Sequence, residues 1–154
     1  MKRLLCAFLA FLWTLLPFGT CHAGPEEAYM LVFQEELGRN DRELKYVAVD
    51  LSKIKLEDTT KLIELLQAYC DENGATLLLD DFNGLKEKGY IKEHDDLPFS
   101  YVEDGILVTF DDVKLTKNSL VTRASSSTVA GWKFEVKRIH GEWQIVSRDL
   151  AWIS

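Results

Sequence analysis

The sequence predicts an α+β fold in which helices pack on one face of a curved, mostly antiparallel sheet. Three observations carry that expectation. Two segments in the first half repeat apolar residues at helical spacing. From Gly105 onward the apolar period changes to two. The period-two segments then follow one another through short connections, as strands of an antiparallel meander do.

Residues 24–40 (GPEEAYMLVFQEELGRN) read as the first helix. Pro25 stands near its start, Glu26 and Glu27 fill the first turn, and Gly38 is the expected stop. Met30, Phe33 and Leu37 fall at i, i+3 and i+7 and form one apolar stripe. Residues 45–51 (KYVAVDL) are valine-rich and bounded by charge, which predicts a strand. Residues 56–74 carry the strongest helical pattern, with Leu62, Leu65, Leu66 and Tyr69 at i, i+3, i+4 and i+7. Ile63 and Cys70 extend that face. Asn73-Gly74 closes the helix with two residues that tolerate positive φ.

Residues 75–82 (ATLLLDDF) are an apolar run of strand length. Residues 85–91 (LKEKGYI) read either as one helical turn ending at Gly89 or as a loop. Residues 93–105 read as polar connection broken by Pro98. Four strands follow, at 105–115, 118–126, 131–139 and 142–154.

The last hairpin has a definite expected register. His140 and Gly141 both tolerate positive φ, as a two-residue type I′ turn requires. That turn sets Arg138 opposite Trp143, Val136 opposite Ile145, and Phe134 opposite Ser147. One surface then collects Phe134, Val136, Trp143 and Ile145. The other collects Lys133, Glu135, Lys137, Glu142, Gln144 and Arg148, with Ile139 and Val146 as exceptions. A slip by one residue would destroy this sorting. Trp143 therefore reads as a packing residue.

The N-terminus has the three-part layout of a secretory signal peptide. Lys2 and Arg3 make the positive start, an apolar stretch containing Pro17 follows, and Cys21 and Ala23 are small residues ahead of a cleavage point. The stretch is short for a membrane span. The expected division is a signal peptide over 1–23 and one α+β domain over 24–154, exported to a periplasmic or extracellular compartment. Lipid attachment at Cys21 is the alternative. Cys6 and Cys21 would leave with the signal, so Cys70 cannot form an internal disulfide and is expected to pack as a small hydrophobe. The whole chain carries a net charge of −7, and loss of Lys2 and Arg3 makes it two units more negative. Nucleic acid and anionic lipid are poor partners for such a surface.

Helices laid on a meander are the logic of cystatin-like and NTF2-like folds, and the pattern does not choose between them. The chain also resembles a group of small exported bacterial proteins of unknown function. The likeness spans roughly residues 45–154. It is carried by LKEKGYI, DGILVTF, an asparagine-led strand, the GWKFEVKRIHGEW hairpin with its xGxW turn, and the terminal Trp-Ile-Ser. The resemblance implies architecture and export but no mechanism. Where that group carries a glycine-rich bend, this chain has residues 125–131, SSSTVAG.

No catalytic constellation emerges. His94 and His140 lack ligand-spaced neighbours, and zinc needs three or four converging N/S ligands. The acid pairs Asp80-Asp81, Asp95-Asp96, Glu103-Asp104 and Asp111-Asp112 fail the calcium-loop pattern. Neither a G-x-S-x-G elbow nor a phosphate-binding glycine loop occurs. No metal and no cofactor is expected. Three residues remain as candidates for binding. Asp50 ends an otherwise apolar strand, as a pocket carboxylate or as a turn acceptor for Ser52 and Lys53. Trp132 and Trp152 are aromatic candidates for recognition; Trp132 shares a face with Phe134 and turns either inward or to the sheet's rim. The expected function is a non-enzymatic module binding a protein, peptide or small ligand. The alternative is a small hydrolase or isomerase using an acid such as Asp50.

Overall fold

The computed structural model describes residues 24–39, 43–93, 95, 100–126 and 130–153. The expected signal segment, His94, Pro98 and residues 127–129 of the serine-rich bend lie outside them. The element order is α1 (Pro25–Leu37), β1 (Tyr46–Val49), α2 (Thr60–Glu72), β2 (Thr76–Leu79), α3 (Phe82–Glu87), β3 (Ile91–Glu93), β4 (Ser100–Val102), β5 (Gly105–Leu115), β6 (Ser119–Ser125), β7 (Ala130–Ile139) and β8 (Glu142–Ile153). Six strands form one mixed sheet in the order β2-β1-β5-β6-β7-β8. The fold is α+β and the sheet is mostly antiparallel. The pairs β1–β2 and β1–β5 are parallel, which the expected meander did not include.

Helix α1 lies on the sheet and against α2. Its expected stripe of Met30, Phe33 and Leu37 is buried, and Ala28, Tyr29, Val32 and Glu36 are buried with it. The buried face is wide because two neighbours share it. Gly38 remains right-handed (φ −60°), so the helix ends without the positive φ that glycine would permit. Helix α2 buries Leu62, Leu66 and Cys70. Asp58 Oδ1 accepts from Thr60 N at 2.9 Å at its start, and Gly74 (φ +68°) follows its end.

Strand β2 is shorter than the apolar run that predicts it. Asp81 leaves the strand to cap α3, its Oδ1 accepting from Gly84 N at 2.7 Å, so Phe82 opens a helix instead of closing a strand. The expected polar connection contains the short antiparallel pair β3–β4. With α3, this pair forms a second core around Ala48, Leu85 and Val102. The main core holds Val47 and Val49 together with α1, α2 and the inner residues of β5–β8. The two long helices thus share one face as expected, while α3 and its hairpin cover the other face at the β1 end.

The terminal hairpin turns at His140 (φ 52°) and Gly141 (φ 89°), both in the left-handed region a type I′ turn uses. Arg138 pairs with Trp143 and Val136 with Ile145, as the sequence predicts. The next expected pair does not form. A bulge inserts Val146, so Phe134 faces Arg148 instead of Ser147. Val146 takes the exposed position and Arg148 moves to the inner face. Phe134 is fully buried and Trp143 is 7% exposed, so the aromatic hairpin fills the core.

Candidate functional site

The inner face of β5–β8 is closed by α1, but the outer face carries an open groove of about 840 Å³. The register of the strands builds its floor. On β6, Leu120, Thr122 and Ala124 are buried, whereas Val121, Arg123 and Ser125 alternate to the outer side. Arg123 pairs with Asp111 of β5 and with Lys133 of β7, and Lys133 pairs with Asp149 of β8. One rung across four strands therefore reads acid, base, base, acid.

A bulge in β5 shapes the near end. The register shifts between Asp111 and Lys114, and Asp112 adopts φ 48°. Thr122, opposite the shift, is fully buried. Its Oγ1 lies 3.0 Å from Asp111 O and 3.1 Å from Arg123 O, so its proton serves one carbonyl at a time. Asp112 swings out to pair with the Arg123 guanidinium.

One wall comes from the segment after β1. Leu51, Ile54 and Leu56 pack on the main core, while Lys53 and Lys55 point out and line the groove. Tyr29 fixes this segment from the other side. Its hydroxyl oxygen accepts from Lys55 N at 3.1 Å, and its ring meets Phe110 edge-on with centroids 5.6 Å apart. Burial pushes the Tyr29 hydroxyl up from its ordinary value, with the Lys55 N–H opposing, so it stays neutral.

The groove's charge is unbalanced. Lys53, Lys55, Lys114, Arg123 and Lys133 line it, against Asp111, Asp112 and Asp149. Arg123 has Asp112 as its ion-pair partner, but its Nε is buried with no hydrogen bond. Among the described residues, no carboxylate lies within ion-pair distance of Lys53, Lys55, Lys114 or Lys133. Asp149, directly across from Lys133, accepts instead from Ser147 Oγ at 2.7 Å.

The sequence candidates are dispersed. Asp50 is half-buried and accepts from Ser52 N at 2.8 Å, the turn-acceptor geometry, and it does not line the groove. Trp132 turns to the inner face, half-buried, with the guanidinium carbons of Arg39 and Arg148 over its ring at 4.0 and 5.1 Å from the centroid. Trp152 is 37% exposed. A Cβ on Gly131 would meet its Nε1 at 2.3 Å, so the indole lies over the outer side of Gly131, the side on which Lys133 also stands. Trp152 is thus the one candidate beside the groove. Sequence reasoning missed the cationic rung because it appears only once β6 and β7 are placed in register. The alternation of Leu51, Ile54 and Leu56 with Lys53 and Lys55 was a legible signal for the wall.

A second polar cluster lies on the inner face at the end of α1. Glu36 is 1% exposed, and its Oε1 has no hydrogen-bond partner. Arg39 Nη1 is 3.9 Å away, and Arg39 Nε and Nη2 are buried and unsatisfied. Burial pushes the Glu36 carboxyl up; the Ser126 hydroxyl, Arg39 and Arg148 oppose the rise and Glu35 adds to it. Arg148 pairs with Glu35, tying β8 to α1. Cys70 is buried, and burial pushes its thiol up to about 11, with Asp71 adding to the rise, so it remains a packed thiol.

Among the described residues, no group of three or more His, Cys, Asp or Glu is placed to hold a metal, and no helix is long and apolar enough to cross a membrane. No family model, no curated protein and no solved structure matches the chain.

Proposed function

We propose that the chain is an exported, non-enzymatic binding module that takes a small ligand into the groove on the outer face of β5–β8. The observation that carries this reading is the groove on the open outer face of β5–β8, walled by a segment that Tyr29 holds in place. Its volume of about 840 Å³ lies in the range of small-molecule sites. The N-terminal layout supports export. The groove's side chains are cations, carboxylates and apolar groups suited to holding a ligand, which supports binding as its chemistry.

A ligand screen followed by amide chemical shifts tests the reading. Hits should move the amides of residues 121–123, 133 and 53–55, and each ligand should be recovered unchanged. Hits confined to the helix face, or consumption of a ligand that Asp50→Asn abolishes, would overturn it in favour of another surface or of the carboxylate enzyme.

A further inference from the structure

We infer that the groove is a site for a small multivalent oxyanion, seated over the Arg123–Lys133 pair and held at its other end by Lys53 and Lys55. The inference rests on the reading above that this face binds a ligand, and it names the ligand's chemistry.

Cross-strand neighbours on one sheet face bring their Cβ atoms to about 5 Å, and like charges placed there repel. Arg123 and Lys133 are such a pair. The nearby acids offset the pair itself, but over the whole groove five cations face three carboxylates. Asp112 engages one edge of Arg123, Asp149 is held by Ser147, and Asp111 has no ion pair among the described residues. Among the described residues, Lys133 has no carboxylate within ion-pair distance, and the buried Nε of Arg123 has no acceptor. An anion above the pair would relieve the repulsion. Lysine ammoniums and a guanidinium are suited to phosphate or carboxylate oxygens.

The same electrostatics set the ligand's size. The chain is acidic overall, at −7, so an extended polyanion or an anionic membrane would be repelled outside the groove. A compact anion meets mainly the local cations, because screening limits distant charges to about one Debye length, ~8 Å at physiological salt. Val121, Leu150 and Ala151 line the groove beside the cations, and Trp152 stands next to it. These supply apolar surface for the ligand's uncharged part.

Calorimetric titration of the protein with pyrophosphate and with citrate, at matched ionic strength, tests this. Binding of at least one is expected, and it should weaken as salt is added. Arg123→Gln and Lys133→Gln should each reduce affinity about tenfold, the loss of one charge-assisted contact, and the double variant should abolish binding. Lys137→Gln, on the same strand face but outside the groove, should titrate as the parent. Equal binding by Lys133→Gln and the parent would overturn the inference, as would binding seen only with vesicles containing anionic lipid. If uncharged ligands shift residues 121–123 while pyrophosphate and citrate do not, the groove is a binding site and its anion chemistry is wrong. If neither class shifts them, both readings fall.

Discussion

Strands β1 and β6 lie two places apart in one sheet, and only one of them has a free face. In β1, Val47 and Val49 enter the main core while Ala48 enters the second core under α3 and the β3–β4 hairpin. Its short run is apolar on both sides, as strands in parallel blocks are. In β6 the buried residues alternate with half-exposed ones, and its main helix contact is with α1. Covering both faces makes the parallel end a scaffold. Leaving one face of the meander open exposes a row of side chains whose identities packing does not fix. Charge can therefore be arranged there for binding, at little cost to the fold.

The sharpest way to break this comparison is to place the same lysine on the same side of the sheet in both regions. Ala48 and Val121 both point to the outer side, where only Ala48 is covered. Ala48→Lys buries an unpaired charge and overfills the second core, and it should cost more than about 4 kcal/mol or prevent folding. Val121→Lys should change stability by less than about 0.5 kcal/mol. Urea unfolding of the two variants measures the difference. Similar costs at both positions would mean that the outer face of the meander is not open.

The legibility of the two regions differs for the same reason. Alternation and the His140-Gly141 turn made β5–β8 readable, because one covered and one open face writes itself as period two. Strand β1 was readable as a strand, but parallel pairing leaves no mark beyond a continuous apolar run. Strands β3 and β4 span three residues each, too few to show any period. The Val146 bulge was visible only as an exception to the sorting, and without it Arg148 was assigned to the wrong face. Asp50 was singled out by its place at the end of an apolar strand, and Trp132 by its aromatic type, with its spacing from Phe134 leaving inward or rim placement open. The turn bond from Ser52 to Asp50 was one of the two roles its position suggested, whereas the two arginines beside Trp132 come from other elements and spacing cannot reveal them.

The segment carrying Lys53 and Lys55 joins the covered region to the open one, and a smaller effect should sharpen that link. Tyr29→Phe keeps the ring contact with Phe110 but removes the acceptor for Lys55 N–H. The expected loss of stability is about 1 kcal/mol. Because the wall of the groove loosens, pyrophosphate affinity should fall a few-fold even though Tyr29 lies on the far side of the sheet. A stability loss with unchanged affinity would detach the wall from the binding site.

The smallest effect belongs to Glu36, on the covered side of the meander. Burial raises its folded pKa above the ordinary 4.5, while Ser126, Arg39 and Arg148 pull the other way and Glu35 adds to the rise. The folded chain therefore holds the Glu36 proton more tightly than the unfolded chain does. Glu36 costs stability at neutral pH. The cost shrinks as pH falls through the raised value and is gone below about 4.5. Glu36→Gln keeps the shape and removes the titration. Relative to the parent, the variant should be favoured most at pH 7, and its advantage should decline steadily on acidification. Unfolding midpoints of the pair at several values between pH 4 and 7 give the slope directly. A gap that instead moves in the variant's favour as pH falls would show that the Arg39 pairing outweighs burial. The inner end of α1 would then be a true ion pair rather than a buried acid beside an unsatisfied guanidinium.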